Sequence, residues 1–277
     1  SSAASDVYKR QVVDKLEFEM LDTDVDDLDV TDTDEVLRFG EMNRPDIIIN
    51  CSGMTDISSC EENPSQAFKV NALGARNLAI VAAKMQAKMV QLSTDDVFDG
   101  KSTEPYTEFD ITNPGTVYGK SKLAGENYVK EFTTKHFIVR STWVYGKGQN
   151  FINGFLKKVD AGEQLSIASD QFGSPTSANE LARFLLHLVH TSEYGTYHAT
   201  NKGVCSRYAF AQEILKMTGK TASMQPVPTV MSDFSKVRPA YAVLDNFIMS
   251  MVPIYDFPDW QDSLREYLEE RGLYHAE

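Results

Sequence analysis

Asp46-Ile47-Ile48-Ile49-Asn50-Cys51 and, beyond a helical span, Lys88-Met89-Val90-Gln91-Leu92-Ser93 decide the architecture of this chain. Three consecutive isoleucines suit a strand buried on both faces. His136-Phe137-Ile138-Val139-Arg140 repeats the theme, and Glu17-Phe18-Glu19-Met20-Leu21 reads as a further strand. Helical stretches separate them, at Asp34 to Asn43, Ser65 to Gln86 and about Tyr118 to Phe132. Asn63-Pro64-Ser65-Gln66 opens the second of these with an N-cap, a proline at the first helical position and a capping-box glutamine. Strand and helix alternating at this spacing predict βαβ units and a mostly parallel sheet, hence the α/β class.

After Gly148 helices dominate (Phe151 to Ala161, Asn179 to His190, Ser206 to Thr218, Trp260 to Arg271), and prolines collect in the connections. Ser177 with Glu180 forms another capping box, and Gly219 suits a helix C-terminus. This half is read as a smaller mixed lobe built around the C-terminal edge of the sheet.

The 277 residues carry 27 Lys and Arg against 40 Asp and Glu, a net charge of -13. That balance argues against nucleic-acid binding, because a phosphate backbone is met by clustered basic residues. No segment has the length or apolarity of a membrane span. Three scattered cysteines, Cys51, Cys60 and Cys205, make no disulfide framework and fit a reducing, cytoplasmic compartment.

A doubly wound sheet that holds a dinucleotide normally begins with a strand running into a glycine-rich turn. Here the first glycine is Gly40 and no G-x-G-x-x-G occurs, while Val7 to Leu16 could form a helix. The chain is therefore expected to lack the first strand and glycine turn, and to hold a dinucleotide weakly as it stands.

Tyr118 and Lys122 lie four residues apart, which puts both on one helix face about a turn from each other. A fixed ammonium lowers the pKa of a nearby phenol and makes it useful as a general acid. Of the twelve tyrosines only Tyr118 has a lysine at this offset. Ser93-Thr94-Asp95 leaves a buried strand where parallel sheets place their ligands, and Asn50-Cys51-Ser52-Gly53-Met54-Thr55 leaves its neighbour in the same way.

These motifs come in an order that resembles the extended short-chain dehydrogenase/reductases, and within them the dTDP-4-dehydrorhamnose reductase family. The series comprises Asn50-Cys51-Ser52-Gly53, Ser93-Thr94-Asp95 with Val97-Phe98-Asp99-Gly100, Tyr118-Gly119-Lys120-Ser121-Lys122, and Arg140-Ser141-Thr142-Trp143-Val144-Tyr145-Gly146. Leu28-Asp29-Val30-Thr31, Asp170-Gln171-Phe172-Gly173-Ser174-Pro175-Thr176 and Arg238-Pro239 extend it, so that it spans about Glu17 to Tyr267.

The resemblance implies a Rossmann-like dinucleotide-binding domain over residues 1–148 and a nucleotide-sugar lobe over 149–277, some of whose segments return to the first domain. It implies reduction of the C4 ketone of dTDP-4-dehydro-L-rhamnose by NADPH or NADH. Tyr118 would donate the proton, Lys122 would lower its pKa and hold the nicotinamide ribose, and Thr94 would orient the carbonyl. For the cofactor it points to Asp24, Asp29, Val30, Gly53, Met54 and Thr55 beside Tyr118 and Lys122. An acid such as Asp24 on the adenosine ribose favours a free 2′-hydroxyl. For the substrate it points to Thr94, Asp95, Trp143, Gln171, Pro175 and Thr176, with Arg238 on the pyrophosphate. It allows a homodimer, with no nucleic-acid or membrane partner.

Two departures stand out: Asp96 replaces the usual tyrosine after Ser-Thr-Asp, and Asp56-Ile57-Ser58-Ser59 follows Thr55 in place of Ala-Val-Asp-Lys. His187 and His190 share a helix face without a spaced Cys or carboxylate, so no metal is expected. The acidic run Asp22 to Asp34 reads as a solvated loop. No G-x-S-x-G elbow occurs, which argues against a serine hydrolase. The alternatives are a non-catalytic regulatory protein on this scaffold, like the methionine adenosyltransferase regulatory subunit, and an NAD-dependent nucleotide-sugar epimerase or dehydratase.

Overall fold

In the computed structural model, which describes residues 19–231 and 240–275, the chain runs α1 (Thr33–Asn43), β1 (Ile47–Asn50), α2 (Ile57–Glu62) and α3 (Pro64–Phe68). A π-helical segment (Lys69–Gly74) leads straight into α4 (Ala75–Met85), then β2 (Lys88–Thr94), a 3-10 turn (Asp95–Val97), α5 (Val117–Phe132) and β3 (His136–Ser141). The second half holds β4 (Val144–Tyr145), α6 (Phe151–Asp160), β5 (Leu165–Ala168), β6 (Phe172–Gly173), β7 (Thr176–Ser177), α7 (Ala178–Val189) and β8 (Gly195–His198). It continues through β9 (Cys205–Ser206), α8 (Arg207–Thr218), β10 (Met224–Val227), β11 (Tyr241–Ala242), α9 (Phe247–Met251) and α10 (Trp260–Glu270).

The main sheet has the order β1-β2-β3-β8, every pair parallel, as the βαβ rhythm predicts. Its fourth strand comes from the second half of the chain, which also supplies α7 to one face. Phe184 and Leu188 of α7 bury their side chains among Val90, Phe137 and Val139 of the sheet, each worth roughly 2 kcal/mol of transfer free energy. The other face is covered by α1, α4 and α5 through Val36, Leu78, Val81 and Val129. Short ladders β10-β5, β11-β6-β9 and β4-β7 surround a separate core of Tyr145, Ile152, Phe155, Phe210, Ile214, Trp260 and Leu264. No helix among the described residues is long and apolar enough to cross a membrane.

Several expectations need correction. Glu19, Met20 and Leu21 are not in a strand, because no described strand lies alongside to complete their backbone hydrogen bonds; Glu17 and Phe18 lie outside the described residues. So does the helix expected at Val7 to Leu16. Ile47, Ile48 and Ile49 are half-buried rather than sealed on both faces, since β1 is an edge strand among the described residues and pairs only with β2. The helix expected from Ser65 to Gln86 is interrupted by the π-helical segment.

Local caps follow the sequence unevenly. Pro64 takes the first helical position, but Asn63 makes no side-chain cap, because its φ of -131° and ψ of 66° belong to the end of α2. Ser177 does cap α7, its hydroxyl accepting from the Asn179 N–H. Glu180 fails to complete the box, for it is held by Arg183 and by the Tyr255 hydroxyl, and Asn201 accepts the Ser177 N–H instead, at 2.8 Å. Gly219 ends α8 at φ 63°, as its left-handed freedom predicts.

Candidate active site

Parallel strands deliver their C-terminal ends to one edge of a sheet. At that edge β1 opens into the Cys51–Thr55 loop, β2 into Asp95 and Asp96, and β3 into Thr142 and Trp143. Thr94 and Ser141 are register partners, so Trp143 emerges two residues beyond the neighbour of Thr94.

The helix α5 starts against this edge. The Thr116 hydroxyl accepts from the Gly119 N–H at 2.9 Å, fixing the first turn. Gly119 rests directly on the Asp96 carbonyl, where a Cβ would collide. Half-buried Tyr118 therefore sits beside the turn that follows Thr94, and Lys122 stands one helical turn further on.

Lys122 is only 5% exposed. Burial pushes its ammonium down to about 8, against the opposing pull of Glu126 and Cys51. Its Nζ lies 3.7 Å from where a Gly53 Cβ would stand, so the β1 loop and Lys122 share one corner, with Tyr118 one helical turn away along α5.

Asn71 ties that corner together, and sequence reasoning missed it. From the π-helical segment its Oδ1 accepts from the Met54 N–H (2.8 Å), while its Nδ2 donates to the Met54 carbonyl (3.0 Å) and to the Ser121 hydroxyl (2.9 Å). Ser121 in turn donates to the Tyr118 carbonyl at 2.8 Å. Its signal in the sequence is an amide beside the small residues Ala72 and Gly74, where a polar group that becomes buried must find partners.

Beneath Lys122, one turn along α5, Glu126 is fully buried. It accepts from Arg140 Nε (2.9 Å) and Nη2 (2.7 Å), and from the Ser93 hydroxyl (2.6 Å). Burial pushes this carboxyl up, but Arg140 and Ser93 outweigh it and hold the group below its ordinary range. The charged Arg140 inside a buried strand was the clue to such a pair.

Thr94 is buried, and its hydroxyl donates to Asp95 Oδ1 (3.0 Å) while accepting from the Asp96 N–H (3.2 Å). To orient a ligand carbonyl, Thr94 must turn its one proton away from Asp95.

The residues expected at the cofactor divide into two groups. Gly53 and Met54 lie in the Asn71–Lys122 corner, and Thr55 is exposed at its rim. Val30 packs on Gly74, and its carbonyl accepts from Asn77 Nδ2 at 3.0 Å. The Asp29 carboxyl is held below its usual range by hydrogen bonds from Thr31. Asp24 is exposed in a turn, its carboxylate accepting from the Val25 N–H at 2.7 Å.

The bare backbone of Gly53 beside the Lys122 ammonium fits the nicotinamide-ribose end of a dinucleotide. A Cβ there would lie 3.1 Å from Asn71 Oδ1 and take up that space. Among the described residues no cluster of His, Cys, Asp and Glu could hold a metal ion.

On the substrate side, Trp143 is bridged to the Gln171–Thr176 segment. Its carbonyl accepts from the Thr176 N–H at 3.3 Å, and Val144 pairs with Thr176 across β4 and β7. Gln171 and Pro175 are buried in the same segment; Thr176 is fully buried, with its hydroxyl on the Ser174 carbonyl at 3.0 Å. Arg238 lies outside the described residues.

Residues 7–272 match the RmlD substrate binding domain family. The spore coat polysaccharide biosynthesis protein SpsK of Bacillus subtilis is 38% identical over 230 residues, 83% of this chain and 81% of that protein. A dTDP-4-dehydrorhamnose reductase from Clostridium acetobutylicum superposes with a TM-score of 0.95 at 39% identity, covering 98% of this chain and 96% of the other. Another from Bacillus anthracis, solved in complex with NADP, gives 0.94 at 34% identity over 97% of this chain and 96% of its own. A match across nearly the whole chain, on a parallel sheet shared with these reductases, leaves one assignment: the chain belongs to the RmlD substrate binding domain family.

Proposed function

We propose that this chain is a dTDP-4-dehydrorhamnose reductase, which reduces the C4 ketone of dTDP-4-dehydro-L-rhamnose to dTDP-L-rhamnose with NADPH or NADH. The observation that carries the reading is the corner where buried Lys122 stands beside Gly53, one helical turn from Tyr118 and next to the strand that ends in Thr94. The solved reductases at TM-scores of 0.95 and 0.94 favour it over a regulatory or epimerase role.

When bound, the reduced nicotinamide supplies a hydride for C4. Gly53 and Lys122 hold the ribose, and Asn71 keeps the Gly53–Met54 peptides in place. Thr94 donates its hydroxyl proton toward the ketone oxygen as a sugar hydroxyl takes over Asp95. Tyr118 transfers the phenolic proton to that oxygen, leaving the secondary alcohol and a phenolate. The Lys122 ammonium stabilises the phenolate until solvent reprotonates it. Trp143, Gln171, Pro175 and Thr176 serve the sugar-nucleotide side, with Arg238 on the pyrophosphate, Thr55 at the nicotinamide-ribose end and Asp24, Asp29 and Val30 on the adenosine side of the cofactor. The first half serves as the dinucleotide domain and the second as the substrate lobe. Cys51, Cys60 and Cys205 form no disulfide among the described residues, which supports a cytoplasmic setting, and a homodimer is proposed for the assembly.

The test is oxidation of NAD(P)H in the presence of the 4-keto sugar nucleotide, followed by loss of nicotinamide absorbance. Tyr118→Phe should lower turnover by about 100-fold or more, the scale of a positioned proton donor. Undiminished turnover in that variant removes Tyr118 from its role.

A further inference from the structure

Trp143 has a backbone that its bulk would not choose. Its φ is 46°, in the left-handed region where a large side chain is a true outlier. Such a conformation persists only where the surroundings over-determine it, and it marks sites where a side chain has to be aimed.

Three contacts do the aiming. The Arg207 guanidinium carbon lies 3.4 Å from the centroid of the Trp143 ring, and 4.8 Å from that of Phe151. Gly173 meets the indole directly: a Cβ on it would stand 2.6 Å from Trp143 Cε2 and 2.9 Å from Cζ2. The Trp143 carbonyl accepts from the Thr176 N–H at 3.3 Å, fixing the peptide that carries the ring.

Arg207 is itself rigidly placed. It is 9% exposed at the first residue of α8, and its backbone N–H donates to the Gln171 carbonyl at 3.0 Å. One backbone bond thus joins the stacking cation to the segment carrying Gln171, Gly173, Pro175 and Thr176. Trp143 remains half-buried, two residues beyond Ser141, the register partner of Thr94.

We propose that Arg207 is a positioning residue for substrate recognition: stacked on Trp143, whose ring also lies against the bare backbone of Gly173, it holds the indole as a preformed wall of the sugar pocket. A planar, delocalised cation suits this role because it lies flat on an aromatic face and stays charged when buried. Lysine would keep the charge but lose the plane. The proposal rests on the sugar-side reading of Trp143 given above.

The experiment compares Arg207→Met, Arg207→Lys, Gly173→Ala and Trp143→Ala by steady-state kinetics with dTDP-4-dehydro-L-rhamnose and NADPH. Arg207→Met, which frees the indole, and Gly173→Ala, which displaces it, should each raise the KM for the sugar nucleotide roughly tenfold, the effect of one desolvated stacking contact. The kcat should stay within about twofold and the KM for NADPH should not move, because the indole holds the sugar equally in the ground state and the transition state. Arg207→Lys should fall between wild type and Arg207→Met.

Trp143 and Trp260 are the two tryptophans of the chain, so in a Trp260→Phe background the emission reports Trp143 alone. Arg207→Met should shift that emission to the red, and titration with dTDP-L-rhamnose should change it less than in the parent. A purely structural role predicts a lowered Tm with the sugar KM and the Trp143 emission unchanged, and that result overturns the proposal. If Trp143→Ala raises the sugar KM while Arg207→Met and Gly173→Ala do not, the pocket reading stands and this proposal falls. An unchanged KM in Trp143→Ala removes both.

Discussion

Gly119 lies against the main-chain carbonyl of Asp96 so closely that no side chain fits between them. This contact seats the first turn of α5 on the turn that ends β2, and so sets the separation of Tyr118 from Thr94. Gly119→Ala should push the helix outward and lower kcat by about 100-fold, since roughly 1 Å of misplacement has that effect on a positioned group. Far-UV circular dichroism should stay near wild type while turnover collapses; full activity would mean that the two elements can part without consequence.

Lys122 predicts a pH dependence with a definite sign. Its folded value is lowered by burial to about 8, below an unfolded value of about 10.4. The ammonium that the proton transfer needs is therefore lost as pH rises through about 8, and kcat/KM should fall there. Stability moves the other way. Between about 8 and 10.4 the unfolded chain binds more protons, so the penalty of burying the charge is greatest below 8 and fades as pH rises. Lys122→Met should accordingly raise the Tm at neutral pH while abolishing turnover, a pair of outcomes readable by scanning calorimetry and kinetics.

Glu126 and Arg140 form a buried ion pair, and removing one partner strands the other. Glu126→Gln should cost about 3–5 kcal/mol in urea unfolding. Because the folded carboxyl is held below its ordinary range, its contribution is complete above that range and is lost as pH falls through the lowered value. The acid limb of the stability profile should therefore flatten in the variant.

Thr94 directs its hydroxyl at Asp95, which makes the two separable by kinetics. Thr94→Val removes a donor that meets the ketone oxygen as charge builds, and should lower kcat by about 100-fold. Asp95→Asn should act mainly on the KM for the sugar nucleotide. A KM effect in the first and a kcat effect in the second would exchange their roles.

Much of this was readable in advance. Alternation of apolar runs and amphipathic stretches predicts three of the four strands of the main sheet, β1, β2 and β3, and the helices α1 and α5 to within a residue or two, but not β8. The offset of Tyr118 and Lys122 predicts their shared helix face, because helical spacing is a local rule. What the chain does not announce is long-range pairing. Asn71 reaches Met54 and Ser121 across 17 and 50 residues. Arg207 reaches Trp143 across two short ladders. No local spacing encodes such meetings. The failed cap at Asn63 has a similar origin: the residue closes α2 before it can open α3, and the earlier helix decides its backbone angles.

The π-helical stretch from Lys69 to Gly74 bears on any effort to stabilise this scaffold. Each residue of a regular helix turns by about 100°, so the wide turn rotates Pro64–Phe68 out of phase with Ala75–Met85. Trimming one residue to regularise the rod would swing the Asn71 amide away from the loop it grips. The wide turn is what keeps Asn71 on Met54 and Ser121.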